Sequence, residues 1–295
     1  LRLTLRCTPS ARATAAAFAR AQKPALPEQL QPSRQPTVTG HSAAHAMQSR
    51  LLILLDHQGA TVVLTPSRGG NLPGMPRLRN LLVDTDQSWG GRRRASRARW
   101  LADTFPNLAD MSVIDLGGRV DTWQHAPVRP AHVHVVNLEA PPADLPDWAE
   151  VDHGDACQLP DRIAARRYDL VFSNSVLEHV GGHERRERFA EAVHQLADRH
   201  WVQTPYRHFP IEPHWIAPGM QYLPVSARAL LARRWPLAHT RPTTRDEAVR
   251  EVLWTELVDY TQMRLLFPRS RILTERLAGL PKSLIGVAGA TQGRA

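Results

Sequence analysis

Lysine is nearly missing from this 295-residue chain. It occurs only at Lys23 and Lys282, so the formal net charge of +9 is carried almost wholly by arginine. That bias runs through the chain and reads as genomic base composition before it reads as phosphate recognition. Cysteine is as scarce: Cys7 and Cys157 stand alone. Two such distant thiols make neither a disulfide framework nor a cysteine zinc site, and they fit a reducing compartment. The apolar runs at residues 51–55 and 61–65 are far shorter than the ~20 residues of a membrane span. No apolar segment of signal-peptide type is present, and a cytoplasmic location is expected.

The charge is unevenly spread. Residues 111–210 hold ten arginines against fifteen carboxylates, while the flanks are basic. An enzyme of nucleic acid would surround its cleft with positive charge. An acidic centre points instead to a small-molecule substrate, with no nucleic-acid partner expected. Oligomeric state has no signature here.

Residues 1–50 are rich in Ala, Arg, Gln and Pro, without sustained apolar periodicity. They read as a disordered or loosely helical extension, Arg-rich in the manner of an organellar transit peptide. Met47 directly precedes the first apolar run, so residues 1–46 also read as an upstream extension without function. Residues 51–99 form an accessory segment: a hairpin of the two apolar runs, then a Gly- and Pro-rich loop at 67–76. Residues 92–105 are expected to be a helix with Trp100 and Leu101 inward and its arginines solvated, stopped by Pro106. The main domain is set at 100–290, with an insertion at about 205–260.

The organising stretch is residues 111–174. It contains Val-Ile-Asp-Leu-Gly-Gly at 113–118, Val-His-Val-Val-Asn-Leu-Glu at 133–139, Gly-Asp-Ala-Cys at 154–157 and Tyr-Asp-Leu-Val-Phe-Ser-Asn at 168–174. Each is a short apolar, β-branched run that ends in Gly, Asp, Glu or Asn. Separated by helix-length spacers, they predict buried parallel strands of an α/β sheet. The strands are placed at 111–116, 133–138, 151–153, 168–173 and 200–204, with helices at 158–166, 184–199, 227–235, 246–257 and one ending at 267. A closing hairpin is placed at 271–276 and 282–287. In such sheets the ligand lies beyond the carboxyl ends of the strands.

The order of these motifs resembles the class I S-adenosylmethionine-dependent methyltransferases. The resemblance continues in Phe-Ser-Asn-Ser-Val-Leu-Glu-His at 172–179, Val-Gln-Thr-Pro-Tyr at 202–206 and Phe-Pro-Ile-Glu-Pro-His at 209–214, and resumes at 266–268 and 280–285. It covers roughly residues 100–287 and is closest to the bacterial type 11-like branch. It implies a doubly wound, Rossmann-like sheet of seven mostly parallel strands, the last one antiparallel, with S-adenosylmethionine as cofactor. The usual glycine loop is Asp-x-Gly-x-Gly-x-Gly. Here Arg119 and Asp121 replace the later two glycines, in a variant Asp-x-Gly-Gly pattern followed by Trp123.

The donor needs close backbone approach, an acceptor for ribose hydroxyls and a clamp on adenine. Gly117 and Gly118 offer the first, since no Cβ obstructs a ligand. Asp115 is a candidate for the donor's ammonium, directly or through water. Glu139 is placed to accept the ribose hydroxyls, as an acid does in dinucleotide sites. Asp155, beside Ala156, is a candidate for the adenine amine, and Ser173 and Asn174 for the methyl-transfer side. His179 is the candidate general base or active-site wall. Tyr206, Arg207, His208, Glu212 and His214 either meet the acceptor or form a rigid aromatic-proline lid.

Glu178, His179 and His183 invite a metal reading. Gly181 and Gly182 interrupt any helix between the two histidines, so no metal site is expected. Two rivals to a methyltransferase stand. One is a non-catalytic module on the same fold. The other is a nicotinamide-dependent oxidoreductase, which requires a Gly-x-Gly-x-x-Gly turn that this chain offers only as Gly117-Gly118.

Overall fold

The computed structural model describes residues 50–56, 59–65, 89–238, 240 and 242–290. The expected N-terminal extension and the loop at 67–76 lie outside the described residues, Arg50 excepted. The expected hairpin is present as β1 (Arg50–Asp56) paired antiparallel with β2 (Gly59–Thr65).

Helix α1 (Trp89–Thr104) precedes the main sheet. The boundary expected at residue 99/100 falls inside this helix. Leu101 and the following Phe105 are buried, and Trp100 meets Trp201 edge-on at 5.6 Å between ring centroids. The arginine face is only partly solvated. Arg97 donates to Glu275 at 3.1 Å with both side chains largely covered, and Arg93 donates to the Arg276 carbonyl. These contacts tie α1 to the far edge of the sheet.

The sheet is built from β3 (Ser112–Leu116), β4 (His132–Asn137), β5 (Ala149–His153), β6 (Leu170–Asn174), β7 (His200–Pro205), β10 (Arg271–Leu277) and β11 (Leu280–Ala288). Its order is β10-β11-β7-β6-β3-β4-β5. β3 to β7 run parallel, β11 pairs antiparallel with both β7 and β10, and so β11 alone is reversed. This is the expected doubly wound, Rossmann-like class.

Strand alternation explains how both faces are buried. Val113, Val133, Val135, Leu170, Trp201 and Ile285 face one layer, with Leu101, Phe105 and Trp123. Ile114, Val136, Val171, Val202 and Leu284 face the other, with Phe189, Val193 and Leu196 of α4 (His183–Leu196) and Met263 and Leu266 of α7 (Tyr260–Leu266). Fully burying one such side chain contributes ~1.5–3 kcal/mol, so these two layers hold the sheet.

The connecting helices are shorter than expected where proline intervenes. The helix expected over 158–166 is only α3 (Asp161–Ala164), because Pro160 occupies its N-cap. Between β3 and β4 stands one short helix, α2 (Val120–Gln124). Between β4 and β5 the Pro-rich segment 138–148 forms no helix. The stretch after β7 holds a two-residue pair, β8 (Ile211–Glu212) with β9 (Ala217–Pro218), then α5 (Val225–Ala232) and α6 (Arg245–Leu253). Trp215, Met220, Ala229, Ala248 and Val252 give it a small core of its own.

Candidate functional site

The sheet reverses its winding between β3 and β6. The crevice beyond the carboxyl ends of those strands is where ligands of open α/β sheets bind. β3 delivers Gly117 and Gly118 there, β4 leads to Glu139, β5 to Asp155, and β6 to Asn174.

The glycine loop is tightly locked. Gly117 has φ +79°, a left-handed conformation that favours glycine, and its amide donates to the Val136 carbonyl at 2.8 Å. The Asn137 amide donates to the Gly118 carbonyl at 2.7 Å. The space each glycine leaves is filled from within. A Cβ on Gly117 would come within 2.6 Å of Val176, and one on Gly118 within 1.8 Å of the Asp115 carboxylate. The glycines thus serve packing beneath the loop, a constraint distinct from ligand approach. Val176 reaches Gly117 because the chain turns sharply at Ser175, a non-glycine residue at φ +59°.

Asp115 lies under this loop with 1% of its surface exposed. Trp123 donates its indole N–H to Oδ2 at 2.8 Å, while Oδ1 has no hydrogen-bond partner. Burial pushes the carboxyl up to about 7, against a smaller downward pull from the Trp123 hydrogen bond. Direct contact with a donor's ammonium, one of the two routes read from the sequence, is closed in this conformation. What remains is a buried, orphaned carboxyl oxygen behind the cradle. Trp123 lies within α2, and its hydrogen bond to Asp115 carries no sequence signal.

Glu139 stands two residues beyond the end of β4, which stops at Asn137 and not at 138. The Asn137 side chain turns the chain there by accepting from the Glu139 amide at 3.2 Å. Glu139 is exposed, and Arg119 approaches it at 3.5 Å while also reaching Asp121 at 3.4 Å. Gly118, Arg119, Asn137, Glu139 and Asp144 line a cleft of about 300 Å³. That is the lower end of the ~300–1,000 Å³ range of small-molecule sites.

The remaining candidates do not line that cleft. Asp155 is half-buried. Its Oδ1 accepts from the Cys157 amide at 2.9 Å, and its Oδ2 from Arg185 at 2.7 Å. Ala156 is buried beside it, as is Cys157, whose thiol burial pushes up to about 12 and so keeps protonated. Ser173 is fully buried and donates its hydroxyl to the Leu116 carbonyl at 2.9 Å. Its hydroxyl is thus engaged within the sheet, at the carboxyl end of β6. Asn174, half-buried, closes β6 at the same edge.

The acceptor candidates divide into two groups. Tyr206 packs against His208 and Tyr260, with centroids 5.3 Å from each, and His208 stacks with Tyr222 at 6.1 Å. Arg207 and His208 are exposed. His214 instead joins His179, the two rings meeting edge-on at 4.8 Å. His214 Nδ1 lies 2.7 Å from Glu212, a buried carboxylate that also accepts from the Trp215 amide at 2.8 Å. His183 is elsewhere, 3.2 Å from Glu187 at the start of α4, whose N-cap is Gly182.

Among the described residues, no helix is long and apolar enough to cross a membrane. No protein-family profile and no curated protein matches the chain. Solved structures do. The magnesium protoporphyrin IX methyltransferase of Synechocystis PCC 6803, with bound SAH, is 16% identical; the match covers 73% of this chain and 94% of that one, with a TM-score of 0.39. A Listeria monocytogenes protein described as an S-adenosylmethionine-dependent methyltransferase is 12% identical, with coverages of 67% and 100% and a TM-score of 0.42. A Rhodobacter sphaeroides protein described as a zinc-dependent alcohol dehydrogenase is 13% identical, with coverages of 66% and 89% and the same TM-score of 0.42. Likenesses this distant assign no activity to the chain; its fold class stands on its own strand order.

Proposed function

We propose that this chain is an S-adenosylmethionine-dependent methyltransferase acting on a small-molecule acceptor by direct displacement. One observation carries the reading. Gly118, in the locked turn that follows β3, and the exposed carboxylate of Glu139 line one crevice at the switch point of the sheet.

The residues present fit such a donor in part. Glu139 would take the ribose hydroxyls, the Gly118 backbone the methionine end, and Asp155 with Asn174 the remaining rim. Asp115 would act from behind the loop by shape, its carboxyl held by Trp123 and packed beneath Gly118. When bound, the donor supplies an electrophilic methyl group. Positioning the acceptor in line is then the protein's main task, worth ~7–11 kcal/mol of the barrier. Tyr206, Arg207 and His208, on the segment after β7, are the side chains proposed to hold the acceptor.

A second reading has one observation in its favour. Arg119 already engages Glu139, the acid a donor would need. If that pair persists, the chain is a non-catalytic module. Both side chains are substantially exposed, and such pairs are typically worth ~0–1 kcal/mol, so a ligand can displace the arginine. Calorimetric titration with S-adenosylmethionine and with a nicotinamide dinucleotide decides. Saturable binding of the first alone supports the methyltransferase; binding of neither supports the module; binding of the second alone overturns both.

A further inference from the structure

Glu178 and His179 lie on the turn after β6, and His214 lies between β8 and β9, 35 residues later in sequence. Folding brings one carboxylate oxygen and one nitrogen from each ring within 4.8 Å of one another. The sequence suggested His183 as the second histidine; the fold puts His214 in its place.

Two further observations point to a ligand. Glu178 is completely buried, and only Oε2 is satisfied, by the Thr204 hydroxyl at 3.0 Å. Its Oε1 has no hydrogen-bond partner and stands 4.0 Å from His179 Nε2. A buried carboxyl oxygen in that state is costly unless something pairs with it. The second observation is the contact between His214 Nδ1 and the buried Glu212 carboxylate. Metal-bound histidines almost always donate their other ring N–H to a carboxylate or carbonyl, which fixes the tautomer and leaves the remaining nitrogen to coordinate. His179 is held similarly, with Nδ1 3.5 Å from the Thr255 hydroxyl and its ring stacked with Trp254.

We propose that Glu178, His179 and His214 form a binding site for a divalent transition-metal ion of the zinc class, oriented by Glu212. Two histidines and one carboxylate form the ligand set of open zinc sites, which keep a fourth position for water or substrate. Bonds of ~2.0–2.2 Å to each ligand place the ligand atoms roughly 3–4 Å apart, so the present cluster needs a contraction of about 1 Å. A second group, His134 with Glu150 and Asp152, has comparable spacing but is already an ion-pair network. Arg166 binds Glu150 through two nitrogens at 2.8 and 2.9 Å, Arg162 binds Asp152 at 2.6 Å, and His134 bonds to Tyr168. The site assigns His179 to the metal and not to general-base work. It goes beyond the donor reading and does not depend on it.

The test is Co²⁺ titration of the full, untagged, chelator-treated chain, read by visible d–d absorption and by Zn²⁺ competition. About one equivalent should bind, with the spectrum of a low-symmetry nitrogen–oxygen site. His214→Ala and Glu178→Gln should abolish it, Glu212→Gln should weaken binding 10–100-fold, and His183→Ala and Glu150→Gln should leave it unchanged. Near-ultraviolet circular dichroism establishes folding. If Glu178→Gln does not fold, His214→Ala, at a half-exposed position, decides alone. The proposal is overturned by no binding to folded wild-type chain, by binding that survives His214→Ala, or by binding lost in Glu150→Gln. S-adenosylmethionine affinity is measured on the same sample, so failure of the donor reading is seen separately.

Discussion

The Asp115 carboxylate fills the space that a side chain on Gly118 would need: an ideal Cβ there meets Oδ2 at 1.8 Å. The loop after β3 is therefore shaped from beneath by its own strand, and the glycine and the acid are one structural unit.

Gly118→Ala should destabilise the protein by ~1–3 kcal/mol, the usual cost of overpacking a filled site. In an Asp115→Ala background the same substitution should cost less, with a coupling of at least ~0.5 kcal/mol. Urea unfolding of the four proteins measures it. Strict additivity would show that the loop escapes by moving outward.

The same burial makes a pH prediction. The folded carboxyl of Asp115 is raised from 3.8 to about 7. Between those values the unfolded chain gives up the proton and the folded chain keeps it, so folding stability falls as pH rises through that window. Asp115→Asn keeps an acceptor for Trp123 and removes the titration. Its stability relative to wild type should improve from pH 4 to pH 7 and then level off. A difference independent of pH would contradict the buried, protonated carboxyl.

His200 should act in the opposite sense. It is buried against His194 and Phe267, with Nε2 2.7 Å from the Ser270 hydroxyl. Burial first, and the His194 ring second, lower it from 6.5 to about 4. Its contribution is present in full above pH 6.5 and is lost as pH falls toward 4, because the unfolded chain takes up the proton first. Relative to wild type, His200→Asn should therefore show a shallower loss of stability over that interval. Equal slopes in chemical denaturation would show that another group governs it.

Much of the sheet was legible because its central strands are buried on both faces. Runs such as Val-Ile-Asp-Leu and Val-His-Val-Val can be little else when helix-length spacers separate them. Boundaries were less legible where a side chain acts on the backbone. Asn137 ends β4 and shifts Glu139 onto a bend, and Pro160 trims α3. The site divides along the same line. Gly117, Gly118 and Glu139 stand just beyond the strand ends, where residue type and position put them. The inward turn of Ser173, the packing of Asp115 under Gly118 and the meeting of His179 with His214 depend on tertiary placement, which no local pattern encodes.

The central claim is that Glu139 holds the donor at the mouth of the cleft beside Gly118. Losing a hydrogen bond to a charged group costs ~1.5–3 kcal/mol, or roughly a 10–150-fold weaker Kd. The most direct measurement is the calorimetric affinity of S-adenosylhomocysteine for wild type, Glu139→Ala and Arg119→Gly. Glu139→Ala should bind 10–150-fold more weakly with an unchanged melting temperature, and Arg119→Gly should bind within about fivefold of wild type, since it loses only exposed ion pairs and some loop rigidity. Undiminished affinity in folded Glu139→Ala would contradict the account, and binding abolished by Arg119→Gly alone would show that arginine, in place of glutamate, holds the ligand.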